Sequence, residues 1–182
     1  MYAICVFCAS RDGARDDYLA AADTFGRELA ARAISLVYGG GNIGLMGALA
    51  DGALAAGGHV VGVIPDFLRD REVAHSGLSE CVFVDDLFER KAIMIERADA
   101  FVALPGGIGT FDEILEVIAW RQLRQLRQPI GLLNVCGYFD PWRDLWRHAI
   151  DEGFVTANEL DHVLVDADPI ALIDKLLAAS SI

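Results

Sequence analysis

Residues 100–113 read AFVALPGGIGTFDE, an unbroken apolar run that passes directly into a glycine-rich turn. An apolar run of this length bounded by Pro and Gly is typical of a strand buried on both faces, and residues with helical spacing follow it. Residues 35–47, SLVYGGGNIGLMG, repeat the same transition earlier in the chain. Two such transitions predict an α/β sheet whose ligands bind beyond the carboxyl ends of the strands.

The alternation of apolar strands and helical segments extends over the whole chain. We predict strands over 3–8, 35–38, 60–64, 81–84, 100–104, 130–133 and 162–165. We predict helices over 17–33, 45–56, 87–98, 110–126, 141–152 and 169–179. Continuous apolar strands that alternate with helices favour a parallel sheet covered on both faces. The sequence therefore predicts a single doubly wound, Rossmann-like α/β domain over residues 1–182, with a central parallel sheet flanked by helices.

The composition restricts the classes of function. The 182 residues are 54% hydrophobic and 23% charged, as in a globular protein, and the formal net charge is −12. So acidic a chain is a poor partner for nucleic acids, because their binding depends on Lys and Arg neutralising phosphates. The apolar runs are too short to cross a bilayer, and the N-terminus lacks the basic start of a signal peptide. We therefore predict a cytoplasmic protein that binds neither nucleic acid nor membrane.

The cysteines and histidines do not suggest a metal site. Cys5 and Cys8 have CxxC spacing, but on a strand residues three apart point to opposite faces. We expect buried, inert thiols there, and Cys81 and Cys136 also lie in apolar stretches that resemble strands. The four histidines are scattered, so we predict no metal ligands.

The two glycine-rich turns are candidate anion sites. Glycines let backbone N–H groups approach an anion, and the N-terminus of the following helix adds partial positive charge. Glycines that serve only a tight turn are the alternative, which is credible for one loop and less so for two at equivalent strand ends. The spacing Gly39-x-Gly41-x-x-Gly44, with Asp66 further on, also matches a dinucleotide fingerprint, although it follows the second strand rather than the first. Neither loop has the Lys-Ser/Thr pair of a P-loop.

Two charged features accompany the second turn. Glu113 is a candidate catalytic carboxylate, but Thr110 and Glu113 also have the spacing of a capping box at a helix start. Arg90 and Lys91, in the segment FERKAIM of residues 88–94, could meet a phosphate or polarise a base. The alternative for this pair is a solvated helix face.

With these motifs in place, the chain resembles a known family. Residues 105–113 reproduce the PGGxGTxxE motif of the LOG family, the cytokinin riboside 5′-monophosphate phosphoribohydrolases. Residues 39–47 match the family's GGGxxGLMG loop and residues 89–94 its ERKAxM segment, with looser similarity at Glu72-x-x-His75 and over 132–138. The resemblance implies a homodimeric enzyme that hydrolyses the N-glycosidic bond of AMP or N6-modified AMP. The products would be adenine or a cytokinin and ribose 5-phosphate, with no metal or organic cofactor.

The resemblance also assigns the site residues. It implies that Arg90 and Glu113 are catalytic. The substrate-binding positions are Glu72, Lys91, Gly106, Gly107, Ile108, Gly109, Thr110, Phe111 and Asp112, together with Gly40 and Gly41 of the first loop. Two departures are Ala119, where the family commonly has Thr, and Asp112, where Glu is frequent.

Members of this family also carry the label "lysine decarboxylase". That chemistry needs a lysine that forms a Schiff base with pyridoxal phosphate, and this chain has only Lys91 and Lys175. We reject the decarboxylase interpretation on this ground.

Two functions from different classes remain compatible with the residues. A non-catalytic carrier of a nucleotide or of the molybdenum cofactor shares this kind of fold, and a dinucleotide-dependent oxidoreductase could use residues 39–44. The residues do not distinguish AMP from isopentenyl-AMP as the substrate, nor covalent attack by Glu113 from assistance to water.

Overall fold

The computed structural model describes residues 1–68 and 74–180. In this part of the chain seven strands form one sheet in the order β4-β3-β2-β1-β5-β6-β7, and every neighbouring pair is parallel. The strands are β1 (Ala3–Phe7), β2 (Ser35–Tyr38), β3 (Val60–Pro65), β4 (Glu80–Val84), β5 (Ala100–Ala103), β6 (Ile130–Leu133) and β7 (Val163–Asp166). Each predicted strand is present, with ends displaced by one residue at most.

Helices cover both faces of the sheet. They are α1 (Asp16–Ala31), α2 (Gly44–Ala55), α3 (Leu87–Glu96), α4 (Ile108–Gln122), α5 (Asp140–Asp151), α6 (Ala157–Leu160) and α7 (Pro169–Ser180). One apolar core lies between the sheet and α1, α2 and α7, and a second lies between the opposite face and α3, α4 and α5. The predicted doubly wound, Rossmann-like α/β fold is confirmed.

Three local features differ from the sequence-based description. Helix α4 begins at Ile108 rather than at residue 110, and it stops at Gln122 because Arg124 takes a left-handed conformation with φ 59°. Helix α6 is too short to give a helical periodicity and was not predicted. Cys136 does not lie in a strand-like stretch: it is exposed in a 3-10 turn, Val135–Gly137, with φ 53°.

The prediction that Cys5 and Cys8 are buried and point to opposite faces of the sheet is confirmed. Both cysteines are buried: Cys5 packs in the core under α3 and α4, and Cys8 packs in the core under α1 and α2. Alternation along β1 sends them to opposite faces, so the two sulfurs do not meet.

The direction of the winding reverses at β1. Ile4 pairs with Leu36 of β2 on one side and with Ala100 of β5 on the other, so the chain runs outward first to one edge of the sheet and then to the other. The loops that leave β1 and β5 therefore diverge above adjacent strands, and this is where ligands bind in such sheets. The Ala9 amide ties the two loops by donating to the Pro105 carbonyl at 3.2 Å.

No helix in the two described ranges is both long and apolar enough to cross a membrane. The cytoplasmic location that the sequence suggests stays a prediction.

Helices α1 and α2 touch through their backbones. A Cβ atom added to Gly26 would lie 2.1 Å from the Leu49 carbonyl oxygen, and one added to Gly52 would lie 2.4 Å from the Asp23 carbonyl oxygen. The glycines therefore set the distance between the two helices on this face of the sheet.

We predict that Gly26→Val lowers the free energy of unfolding by about 3 kcal/mol, because the backbone opposite cannot yield as a flexible side chain would. Ala20→Val introduces the same residue on the exposed face of α1 and should cost less than about 1 kcal/mol. Urea unfolding of both variants measures the difference. Equal losses would show that the helix contact is not the constraint.

Candidate active site

A cavity of about 560 Å³ opens at the carboxyl ends of β1 and β5. Its walls come from the loop after β1, the start of α1, the start of α2, α3, the second glycine-rich turn with α4, and the turn after β6. The lining residues are Cys8, Ala9, Ser10, Arg11, Gly13, Tyr18, Leu45, Met46, Arg90, Pro105, Gly106, Gly107, Ile108, Gly109, Thr110, Glu113 and Tyr138. Seven of the predicted site residues are thus gathered around one space.

The N-terminus of α4 forms one side of this cavity. Gly107 is the N-cap in an extended conformation, and its carbonyl accepts the Phe111 amide at 3.0 Å. The first four amides of an α-helix lack partners one turn back, so the N–H groups of Gly107 to Thr110 are suited to an anion. Cβ atoms added to Gly107 or Gly109 would meet nothing within 4 Å, which leaves the space above them open.

The capping-box interpretation of Thr110 and Glu113 is wrong. Because α4 begins at Ile108, Thr110 lies inside its first turn, only 4% exposed, and the N-cap Gly107 makes no side-chain capping bond. A Cβ on Gly106 would lie 2.1 Å from Thr110 Oγ1, so this threonine packs tightly beneath the glycine turn. Glu113 falls in the second turn and lines the cavity, where a helix cap does not explain it.

Arg90 is buried, contrary to the interpretation as a solvated helix face. Its side chain is 6% exposed, and Nη2 donates to the Gly39 carbonyl at 3.1 Å. A Cβ on Gly39 would lie 1.9 Å from Nη2, so the first glycine loop leaves space for the guanidinium. The start of α3 is fixed by Asp86, whose carboxylate accepts the Phe88 and Glu89 amides at 2.8 Å each.

The charges of Arg90 and Glu113 act on the same buried thiol. Complete burial raises the pKa of Cys5 well above its ordinary value; the Glu113 carboxylate raises it further, and the Arg90 guanidinium lowers it. Cys5 lies on β1 and pairs with Phe101 of β5. The acidic and basic side chains both line the cavity at the switch point.

Lys91, Phe111 and Asp112, which the resemblance assigns to substrate binding, are not among the residues that line the cavity. Lys91 is one residue past Arg90 and turns away from the cavity toward α4, where Nζ bonds Asp112 at 3.0 Å and Glu116 at 2.5 Å. Burial lowers the pKa of Lys91, but the hydrogen bonds to these two carboxylates raise it above its ordinary value overall. Phe111 packs against Trp142 with ring centres 5.6 Å apart.

Gly40 and Gly41 also do not line the cavity. The Gly40 carbonyl accepts the His75 amide at 3.0 Å, and the Gly41 carbonyl accepts the Tyr38 hydroxyl at 3.1 Å. The first glycine loop thus packs on the β3 side of the sheet and on Arg90. Glu72 lies outside the described residues.

Sequence reasoning missed the loop after β1 and two tyrosines. Ser10, Arg11 and Gly13 leave β1 at the switch point, and Tyr18 and Tyr138 close the wall beside them. The rule that sites form where strand order reverses would have indicated residues 8–13, because that loop follows the first strand. No local pattern marks the tyrosines.

The comparison with protein families matches residues 46–176 to a model described as "Possible lysine decarboxylase". Two curated plant relatives match nearly all of the chain. The cytokinin riboside 5′-monophosphate phosphoribohydrolase LOG5 of Arabidopsis thaliana is 46% identical over 90% of this chain and 72% of its own length. The probable enzyme LOGL2 of Oryza sativa subsp. japonica is 46% identical over 95% of this chain and 71% of its own length.

The residues of this chain do not fit pyridoxal phosphate. Lys91 is held between two carboxylates, and Lys175 pairs with Asp166 at 2.7 Å; neither lines the cavity. Within the described ranges, no group of three or more His, Cys, Asp or Glu side chains is arranged to hold a metal ion.

Solved structures share the fold. An X-ray structure of the structural-genomics target TM1055 superimposes with a TM-score of 0.74 at 25% identity, covering 98% of this chain and 99% of that one. The molybdenum cofactor carrier protein of Chlamydomonas reinhardtii superimposes with a TM-score of 0.73 at 23% identity, covering 97% and 98%. The family match and the identity to the plant proteins are decisive: this chain belongs to the LOG family of cytokinin riboside 5′-monophosphate phosphoribohydrolases.

Proposed function

We propose that this chain hydrolyses the N-glycosidic bond of AMP or an N6-modified AMP, releasing the free base and ribose 5-phosphate. The main observation in support is the cavity at the switch point, which is lined by the N-terminus of α4, Arg90 and Glu113. The names of the plant relatives support the same reaction.

The 5′-phosphate would bind at the start of α4. Its oxygens accept amide hydrogens from the turn at Gly106 and the first residues of the helix, where the helix dipole favours negative charge. Such a site meets the charge of a small anion locally, even in a protein with a net charge of −12. Arg11, at the opposite wall, supplies a further cation near the anion.

Glu113 would stabilise the reacting ribose. Breaking the bond between C1′ and the base nitrogen leaves its electron pair on the base and gives the ribose oxocarbenium character. A carboxylate beside C1′ is most favourable when that positive charge develops, so it lowers the barrier rather than only improving binding. Water adds its oxygen to C1′ and gives up a proton, and the departing base takes up a proton.

Arg90 would hold the substrate and favour departure of the base. A buried guanidinium fixed on the Gly39 carbonyl keeps its direction without the cost of ordering it during the reaction. Negative charge that collects on the leaving base is stabilised by this cation.

A carrier function is the rival from a different class. The molybdenum cofactor carrier protein shares the fold at 23% identity, which speaks for the fold alone. The Arg90 and Glu113 side chains at one cavity favour the enzyme, because a carrier has no need of a charge directed at a reacting bond.

We predict that Glu113→Gln lowers kcat for AMP by about 100-fold or more while the protein stays folded, because the volume is kept and the charge is lost. Glu96→Gln, on the exposed end of α3, makes the same chemical change away from the cavity and should be active. Chromatographic detection of released adenine measures both variants. Near-normal turnover by a folded Glu113→Gln variant would remove Glu113 from the mechanism.

We also predict that AMP is cleaved with a kcat/KM about 1,000-fold above that of adenosine. Each charge-assisted hydrogen bond to the phosphate contributes about 1.5–3 kcal/mol, and together they orient the ribose as well. Gly109→Val should abolish this preference by crowding the anion. Gly109 does not have a positive φ and a Cβ there meets open space, so the variant should fold. Equal cleavage of AMP and adenosine by the unmodified protein would contradict the anion site.

The protein should form a homodimer. Several apolar side chains on α3, on α4 and at the C-cap of α4 are exposed, among them Phe88 (79%), Leu115 (42%), Trp120 (40%) and Leu123 (68%). Leu126, just beyond these side chains, is partly buried against the core. Light scattering at micromolar concentration should give twice the chain mass of 19.7 kDa. The monomer mass would contradict the dimer.

A further inference from the structure

We propose that Tyr138 is a positioning residue that sets the direction of the peptide between Gly106 and Gly107, and thereby the selectivity of the anion site. The inference rests on the proposed function for the identity of the ligand. It concerns a residue outside the pair that carries the chemistry.

The Tyr138 hydroxyl donates a hydrogen bond to the Gly106 carbonyl. Tyr138 lies on the turn after β6, while Gly106 belongs to the turn after β5, so the bond joins two loops at the mouth of the cavity. The reaction proposed above uses no phenol, and the hydroxyl bonds a backbone carbonyl. This hydrogen bond therefore acts on the conformation of the glycine-rich turn after β5.

The peptide unit that follows Gly106 is flanked by glycine on both sides. Glycines tolerate large changes of backbone angles, so this unit can reverse its direction more cheaply than others in the loop. In a trans peptide the carbonyl and the following N–H point in opposite directions. Holding the Gly106 carbonyl therefore also holds the Gly107 N–H. If the unit reversed, a carbonyl oxygen would replace the amide hydrogen and repel the phosphate.

The preceding peptide unit, between Pro105 and Gly106, is also held by a hydrogen bond from another loop. The Pro105 carbonyl accepts the Ala9 amide, which fixes the direction of the Gly106 N–H. The two carbonyls that enter α4 are thus each engaged by another loop. Only the Gly106 carbonyl depends on a side chain, which makes this bond open to change by mutation.

The phenol itself is rigidly mounted. Its ring centre lies 5.8 Å from that of Tyr18 and 5.1 Å from that of Phe139, and both pairs of rings are close to perpendicular. The backbone beneath it is fixed by Asn134, whose side chain accepts the Phe139 amide at 2.7 Å and donates to Asp140 at 2.8 Å. A fixed donor holds a carbonyl at a lower entropic cost than a mobile one.

The test compares Tyr138→Phe with Tyr2→Phe. The first change removes the hydroxyl and keeps the ring contacts. The second removes a hydroxyl that bonds Ser180 in a separate pocket lined also by Pro129, away from the cavity. Calorimetric binding of ribose 5-phosphate and of ribose to each protein reports the phosphate preference, and thermal unfolding reports the fold. These ligands have no scissile bond, so the result is independent of turnover.

We expect Tyr138→Phe to bind ribose 5-phosphate about tenfold more weakly, the value of one charge-assisted hydrogen bond, with ribose binding unchanged. In parallel, the KM for AMP should rise about tenfold with kcat reduced less than threefold, because the bond acts on binding. Tyr2→Phe should match the unmodified protein in both assays. In 15N NMR spectra, added inorganic phosphate should shift the Gly107 amide of the unmodified protein and leave it nearly unmoved in Tyr138→Phe.

Unchanged affinity of Tyr138→Phe for ribose 5-phosphate would overturn the proposal, as would equal weakening of both ligands. If Tyr138→Phe does not fold, the NMR shift of Gly107 in the unmodified protein decides, and a Gly107 amide insensitive to phosphate overturns it. Failure of the proposed function looks different: AMP is then not cleaved, while ribose 5-phosphate binding and its dependence on Tyr138 persist.

Discussion

The buried guanidinium of Arg90 constrains much of this cavity. Removing a charged group from water is costly unless it finds hydrogen-bond partners, and one of its nitrogens donates to the Gly39 carbonyl. That bond requires a first glycine loop without a side chain at Gly39, and a helix α3 that begins just before the arginine. The loop after β2 and the helix after β4 are thereby held to each other beside the central strands. The cavity wall on this side is built around one cation.

The opposite wall depends on loops that share hydrogen bonds rather than on a single group. Ala9 links to Pro105, Met46 links to Ala9, and Tyr138 links to Gly106. Four segments of the chain thus meet through two backbone hydrogen bonds and one bond from a tyrosine hydroxyl, with aromatic rings beside them. The apolar cores on both faces of the sheet fix the positions of these segments relative to the strands. Glu113, the candidate catalytic carboxylate, lies on α4, the helix that begins at these hydrogen-bonded loops.

Much of the fold could be predicted from sequence because its strands are short apolar runs bounded by Gly and Pro, and such runs have a local signature. The start of α4 could not, because an N-cap glycine carries no side-chain signal and Thr110 with Glu113 imitates a capping box. The sequence also could not show which of two adjacent charged residues faces the cavity. Arg90 and Lys91 are neighbours in sequence, yet the helix turns one under the cavity and the other to Asp112. Contacts such as Tyr138 with Gly106 join distant segments, and no periodicity announces them.

The place of β1 in the sheet has a consequence for how the protein is made. Ile4 meets its partner in β2 at Leu36, but its partner on the other side is Ala100. On the ribosome, the half of the sheet from β1 to β4 can pair while later residues are still being added, and β1 then keeps one open edge. The walls of the cavity formed by α4 and by the turn at Tyr138 are added after this half. The N-terminus of α4 can therefore join Arg90 at the cavity only after the second half of the chain has emerged.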